Sequence, residues 1–279
     1  MRDYEFIQRS ISMNQITSID SIRDKLVSYA NVQELETDQD VYFKIYDSAK
    51  ATLYYLGVRH SYEPNDPVFT EIESKFDVFL TNTEGKNRCV VIEGALRDVA
   101  SDKHSSIINQ GGEGGYLMFL ASGAGIRSVC YEPDQKKMID DVSEKYGLDL
   151  VFYSLMCDRA YQYSQETDKP AFVSYIQYFI DEFNDLAKAT YSLEIFSEIH
   201  QRISGHQLNQ DADLFYRFSD PTNEENPIRE IASFIAGYRD AYIAEQITKN
   251  HLAGISQFVL YGKTHALIQA PAITHFLLD

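Results

Sequence analysis

Tryptophan is absent from the 279 residues, cysteine occurs only three times, and basic residues are scarce relative to acidic ones. Cys89, Cys130 and Cys157 form no CxxC pair and are odd in number, so we expect no disulfide framework and a reducing compartment. The 25 Lys and Arg against 42 Asp and Glu give a formal net charge of −17. This balance argues against nucleic acid as the main partner, because phosphate binding requires clustered basic side chains.

Long apolar runs are also missing. No stretch reaches the roughly 18 apolar residues that a membrane span needs. Residues 1–5, MRDYE, carry acid where a signal peptide has a basic and then an apolar run. We therefore expect a cytoplasmic protein without a membrane span. At roughly 100–200 residues per domain, the length corresponds to one large domain or two small ones.

Short apolar runs alternate with helical patterns towards both ends of the chain. Strands are predicted at Thr52–Leu56, Arg88–Ile92, Arg127–Tyr131 and Ser256–Tyr261, the first two of them buried. This alternation predicts an α/β fold with a mainly parallel sheet flanked by helices. We assign residues 1–50 to a helical lead-in, 51–134 and 228–279 to the α/β core, and 135–227 to a largely helical insertion. A closing helix is predicted over Gln269–Leu278.

Each predicted strand runs directly into a polar residue that can bind a ligand or react. These residues are His60, Glu93, Glu132 and His265. Ligand sites gather at the carboxyl ends of parallel strands, so we expect these side chains to converge. Histidine together with carboxylate suits a divalent transition metal such as Mn, Co or Zn, with a position left open for water.

Simpler structural roles exist for the same residues. A histidine after a strand is often a hydrogen-bonding loop residue, although the repetition of G-x-x-H favours function. Glu93 at the mouth of a buried strand needs a partner, which is either Arg97 or a metal or substrate. Glu132 is equally suited to a helix start. The glycine-rich run Gly111–Gly115 either binds an anion through its backbone N–H groups or forms a mobile loop.

Two common catalytic patterns are not present. Gly262-Lys263-Thr264 is not a Walker A loop, because position 257 is Gln where that pattern needs its first glycine. No G-x-S-x-G occurs, so a serine triad of the α/β-hydrolase type is not supported.

The order of these short motifs resembles the TraB/PrgY/Tiki family, which belongs to a wider group with erythromycin esterase-like and ChaN-like proteins. The motifs are Gly57–His60 after a strand, Glu93 followed by Arg97, Gly111–Glu113 opening a helix, Glu132 and Asp134 after a strand, Arg239-Asp240 on a helix, and Gly262–His265. The resemblance covers residues 50–135 and 228–278 and implies the fold of that group.

The resemblance also implies roles for individual residues. His60 and His265 are the paired site histidines, Glu93 and Glu113 their acidic partners, and Arg239 a charge-positioning residue. The family is associated with a metal-dependent hydrolase or protease-like activity in its Tiki members and with shutdown of peptide pheromone signalling in bacterial members.

Two functional hypotheses follow. In the first, the chain hydrolyses a peptide, ester or amide bond in a small-molecule or peptide substrate. His60, His265 and one or two of Glu93, Glu113 and Glu132 hold a divalent ion, and a carboxylate that is not on the metal, Glu113 in the first place, acts as general base. Without a metal, a His–Glu pair activates water. Arg59, Arg97 or Arg239 then stabilises the oxyanion or a substrate carboxylate, and Glu132 helps to position the substrate.

In the second hypothesis the same fold is non-catalytic and sequesters a peptide or small molecule. Aromatic residues of the helical middle would line a groove, or else pack in its core. They are Tyr175, Tyr178, Phe179, Phe183, Tyr191 and Phe196.

Overall fold

A computed structural model describes residues 19–35, 41–165, 170–208, 212–220 and 223–278. These residues divide into two compact units. The first unit is drawn from Met1–Leu26, Thr37–Tyr131 and Ala241–Asp279, and the second, the helical unit, from Val27–Glu36 and Glu132–Asp240.

A five-stranded sheet organises the first unit. Its strands are β1 (Tyr42–Asp47), β2 (Thr52–Val58), β3 (Arg88–Ile92), β4 (Arg127–Cys130) and β5 (Ser256–Gly262). The order is β1-β2-β5-β3-β4, with β1 antiparallel to β2 and every other neighbouring pair parallel. The predicted α/β class and mainly parallel sheet are therefore confirmed.

Helices cover both faces of this sheet, which explains why β2 and β5 are buried along their whole length. On one face Phe258 and Leu260 pack with Phe76 and Phe79. On the other face Val259 and Tyr261 pack with residues near the ends of the chain. The helices of the first unit are α1 (Ile19–Arg23), α2 (Pro67–Asn82), α3 (Lys103–Ile108), α4 (Gly112–Gly123), α11 (Lys263–Leu278) and the second half of α10 (Arg229–Leu252).

The helical unit has its own core. Its helices are α5 (Gln135–Tyr146), α6 (Leu148–Gln165), α7 (Phe172–Ala187), α8 (Leu193–Ser204), α9 (Ala212–Ser219) and the part of α10 up to Asp240, with a 3₁₀ helix at Tyr29–Leu35. Phe152, Phe183 and Phe196 are buried together in this core. Of the aromatic residues proposed to line a groove, Phe183 and Phe196 therefore serve in packing.

Two local predictions differ from the structure. The helical lead-in expected over residues 1–50 is wrong for Tyr42–Asp47, which form the edge strand β1, and residues 1–18 lie outside the described part. The closing helix begins at Lys263 rather than Gln269, so it follows β5 directly. Within the described residues, no helix combines the length and the apolar character needed to cross a membrane.

Candidate active site

His60 lies just beyond the carboxyl end of β2 and faces two glutamates. Its Nδ1 is 3.4 Å from Oε2 of Glu113, and its Nε2 is 4.0 Å from Oε2 of Glu93. The His60 side chain is 62% exposed, whereas that of Glu113 is only 7% exposed. The exposed imidazole of His60 therefore lies next to the buried carboxylate of Glu113.

Glu113 reaches His60 from the first turn of α4, which begins at Gly112. Its Oε1 accepts a hydrogen bond from the backbone N–H of Ser61, the residue after His60. Gly112 has a φ of +63°, and a Cβ at this position would stand 2.5 Å from the carbonyl oxygen of Ser61. Glycine is therefore required for α4 to approach this chain so closely.

Glu93 follows β3 and joins the two histidines. Its Oε2 accepts a hydrogen bond of 2.7 Å from the backbone N–H of Gly262. Its Oε1 is 3.5 Å from Nε2 of His265, which lies in the first turn of α11. Both oxygens of the carboxylate are therefore engaged, and Glu93 is fixed between His60 and His265.

The strand order explains this convergence. β5 lies between β2 and β3, and Leu260 of β5 is level with Leu56 of β2 and Ile92 of β3. The end of β5 at Gly262 therefore stands between the residues that follow β2 and β3. A Cβ on Gly262 would lie 3.2 Å from His60 Nε2 and 3.4 Å from Glu93 Oε2, so the site has little room at this glycine.

A cavity of about 170 Å³ opens beside this cluster. His60, Glu93 and Glu113 line it, together with Arg97, Tyr62 and Tyr261. The cavity brings charged, hydrogen-bonding and aromatic groups to one place, which is typical of a small-molecule site.

The arginines proposed as charge-positioning groups have different partners. Arg97 Nη1 donates to the carbonyl oxygen of Gln110 at 2.9 Å, so the Glu93–Arg97 ion pair considered above is not formed. Arg59 Nη2 donates to Asp66 Oδ2 at 2.6 Å.

Arg239 and Glu132 both belong to the helical unit and bind each other. Arg239 Nε and Nη2 donate to the two oxygens of Glu132 at 2.6 and 2.7 Å, a bidentate pair. Asp158 is nearby, and its burial raises its carboxyl pKa against the opposing effect of Arg159 and Arg239. The four residues that converge in the first unit are thus His60, Glu93, Glu113 and His265.

The donor types at this site, imidazole and carboxylate, are ones that divalent metal ions bind. Among the described residues, no group of three or more His, Cys, Asp or Glu side chains is placed to hold one ion. One oxygen of Glu93 and one of Glu113 accept from backbone N–H groups instead. As described, the cluster is a hydrogen-bonded arrangement of imidazoles and carboxylates.

Sequence reasoning did not identify the backbone groups that hold the two glutamates. The N–H groups of Ser61 and Gly262 fix the carboxylates, yet only the tertiary structure brings them into reach. Gly262 carried a usable signal because it begins the second G-x-x-H motif. Tyr62, which follows the first motif, lines the cavity without any such signal.

The remaining histidines near these motifs have other environments. His104 lies in α3, after Asp102, whose side chain caps that helix. His200 is fully buried in the helical unit, where its Nδ1 is 3.0 Å from the hydroxyl of Tyr153.

Comparison with known proteins gives no relative: no family model, no curated protein and no solved structure matches the chain.

Proposed function

We propose that the first unit is a hydrolase that cleaves an ester or amide bond with a water molecule activated by His60. The observation that carries this proposal is the position of His60, whose two ring nitrogens face the carboxylates of Glu113 and Glu93. The resemblance to the TraB/PrgY/Tiki family and the erythromycin esterase-like and ChaN-like fold are parts of the same proposal.

Glu113 orients the imidazole. It is buried and held by the N–H of Ser61, so its free oxygen is the acceptor for a proton on Nδ1 of His60. Nε2 then carries the lone pair that a general base requires, on the side of the ring that faces Glu93. Glu113 therefore acts as the residue that positions His60 rather than as the base itself.

A water molecule fits between His60 and Glu93. The 4.0 Å between Nε2 and Oε2 is too long for a direct hydrogen bond and suits a water bound to both atoms. The water oxygen attacks the substrate carbonyl carbon while its proton passes to Nε2. The same proton is then delivered to the leaving oxygen or nitrogen as the carbon–heteroatom bond breaks. The products are a carboxylic acid and an alcohol or amine.

His265 and Glu93 support the other side of the site. Nε2 of His265 lies 3.5 Å from Oε1 of Glu93, so His265 restrains the carboxylate that holds the water.

The experiment is turnover of a panel of ester, amide and peptide substrates by the wild type and by His60→Asn. We expect His60→Asn to lose about 10²- to 10⁴-fold in kcat, the usual contribution of a general base, and Glu113→Gln to lose activity through misorientation of His60. His104→Asn is the matched control, since His104 is exposed in the same unit and does not line this cavity.

Wild-type turnover that survives in folded His60→Asn protein, checked by circular dichroism, would contradict the proposal. Metal-assisted hydrolysis stays a prediction and is tested on the same samples. It expects stoichiometric Mn, Co or Zn in the purified protein, with loss of both metal and turnover in His60→Ala and His265→Ala.

A further inference from the structure

Arg97 is the candidate arginine whose charge no carboxylate offsets. Arg59 is paired with Asp66 and Arg239 with Glu132. Arg97 donates to a neutral carbonyl, that of Gln110, and within the described residues no acidic side chain lies within ion-pair distance of it. The guanidinium is thus held in place while its charge stays available to a ligand.

The guanidinium borders the same cavity as the proposed base. Arg97 and His60 both line the space of about 170 Å³, which corresponds to roughly six water molecules by volume. An anionic group on Arg97 and a scissile bond at His60 therefore share one small cavity. Any larger part of the substrate has to lie outside the cavity.

Several apolar side chains close to Arg97 or Gln110 in the chain are exposed. We call Tyr62, Leu96, Val99 and Ile108 the apolar rim. Tyr62 lines the cavity itself, and Leu96 and Val99 lie on either side of Arg97 in the chain. Ile108 comes two residues before Gln110, the acceptor of the Arg97 hydrogen bond. These side chains are 61%, 53%, 49% and 45% exposed, respectively, so they offer apolar surface to a ligand.

We propose, on the basis of the hydrolase function above, that the substrates are amphiphilic carboxylates. They join an apolar acyl group by an amide or ester bond to a small part that carries a carboxylate, as in N-acyl amino acids. Arg97 binds the carboxylate through charge-assisted hydrogen bonds, the cavity holds the scissile bond, and the apolar rim covers the acyl chain. Hydrolysis then gives a fatty acid and, from the amide, an amino acid or, from the ester, a hydroxy acid.

Binding is measured by calorimetry on the His60→Asn variant, so that the result does not depend on turnover. The probes are N-octanoylglycine, its uncharged N-methylamide and N-acetylglycine. We expect N-octanoylglycine to bind more tightly than its amide by about 10- to 100-fold, the range for a hydrogen bond to a charged group. Adding Arg97→Gln should abolish this preference, whereas adding Arg59→Gln should preserve it.

The apolar rim is tested with a second pair of variants. Leu96→Ser with Val99→Ser should reduce the preference for the octanoyl over the acetyl compound. Ile45→Ser with Val78→Ser is the control, because these residues are similarly exposed in the same unit but lie in β1 and α2.

Three results would overturn the inference: equal binding of acid and amide, an unchanged preference in Arg97→Gln, or no binding of N-octanoylglycine at millimolar concentration. Failure of the hydrolase proposal gives a different pattern. In that case selective, Arg97-dependent binding is present, but wild-type protein releases no glycine. Turnover without any preference for a carboxylate or a long chain keeps the hydrolase and removes this inference.

Discussion

At the scale of single residues, the site depends on backbone N–H groups that hold two carboxylates in place. Glu93 and Glu113 each bind a backbone N–H, of Gly262 and Ser61 respectively, and each then faces His60. The types of the reactive residues are evident from the G-x-x-H motifs. The hydrogen bonds that restrain these residues are not evident from the sequence, because the backbone N–H group carries no signal that distinguishes one position from another.

Replacing Gly262 by alanine tests this arrangement, because the substitution adds a single methyl group beside His60 and Glu93. Since an added Cβ would stand 3.2 Å from His60 Nε2 and 3.4 Å from Glu93 Oε2, Gly262→Ala should displace one of these groups by a few tenths of an ångström. We expect turnover to fall by about 10- to 100-fold, because small misplacements of catalytic groups have effects of this size.

Steady-state kinetics measures the effect of Gly262→Ala, with thermal unfolding as a check on stability. Gly123→Ala is the matched control, since a Cβ there meets no atom within 4 Å. Unchanged kcat and KM in Gly262→Ala would mean that the space at Gly262 is not used in the reaction.

At the scale of secondary-structure elements, the strands covered on both faces and the edge strand β4 were predictable, whereas the other edge strand, β1, was not. The predicted run Arg88–Ile92 coincides with β3, because an uninterrupted apolar run is typical of a strand covered on both faces. β1 has only Tyr46 fully buried, so its sequence lacks that run. The predicted closing helix over Gln269–Leu278 lies inside α11, but the start of α11 at Lys263 was missed.

Helix α2 allows a prediction at this scale, because Asp66 caps its first turn. Asp66 Oδ1 accepts from the N–H of Val68 at 3.0 Å, and Oδ2 accepts from Arg59. Asp66→Ala removes both bonds and should lower the free energy of unfolding by about 1 kcal/mol, as for other N-caps. Asp66→Asn keeps a capping oxygen and should cost less.

The same carboxylate gives a pH dependence. The N–H of Val68, together with Ser61 and Arg59, lowers the pKa of Asp66 in the folded protein. A lowered folded pKa means that this stabilisation is present above the unfolded value of about 3.9 and is lost as the pH falls through the folded value. Urea unfolding between pH 3 and 6 checks this, and an equal acid sensitivity of wild type and Asp66→Asn would refute it.

At the scale of the whole molecule, the net charge of −17 says little about the site. The informative charges are the few carboxylates that the fold brings beside histidine, and Arg97, which has no acidic side chain within ion-pair distance among the described residues. Stability against pH, in contrast, depends on buried groups well away from that site.

His251 is such a group. It is 3% exposed, its Nδ1 has no hydrogen-bond partner among the described residues, and burial lowers its pKa to about 4, against a smaller opposing effect of Asp47. The unfolded chain, with a histidine pKa of about 6.5, takes up a proton first on acidification. Stability is therefore full above pH 6.5 and is lost as the pH falls towards 4.

We expect His251 to account for about 2 kcal/mol of the stability lost between pH 7 and pH 5. His251→Leu should remove this part, because leucine cannot titrate, while the part due to His200, whose pKa burial also lowers, remains. Urea unfolding at both pH values measures it, with His275→Asn at an exposed position as control. A pH dependence in His251→Leu equal to that of the wild type would falsify the assignment.

The sequence by itself determined the α/β class, four of the strands and the residues that follow them, because burial patterns and strand ends are local properties of the chain. It also supplied His60, Glu93, Glu113 and His265 as candidates. Only the tertiary structure decided that β5 lies between β2 and β3, which sets Glu93 between the two histidines. It also decided that, in the described part of the chain, Arg59 and Arg239 have acidic partners and Arg97 has none within ion-pair distance. Strand order and side-chain pairing join residues far apart in the chain, so their energies carry no local sequence signal.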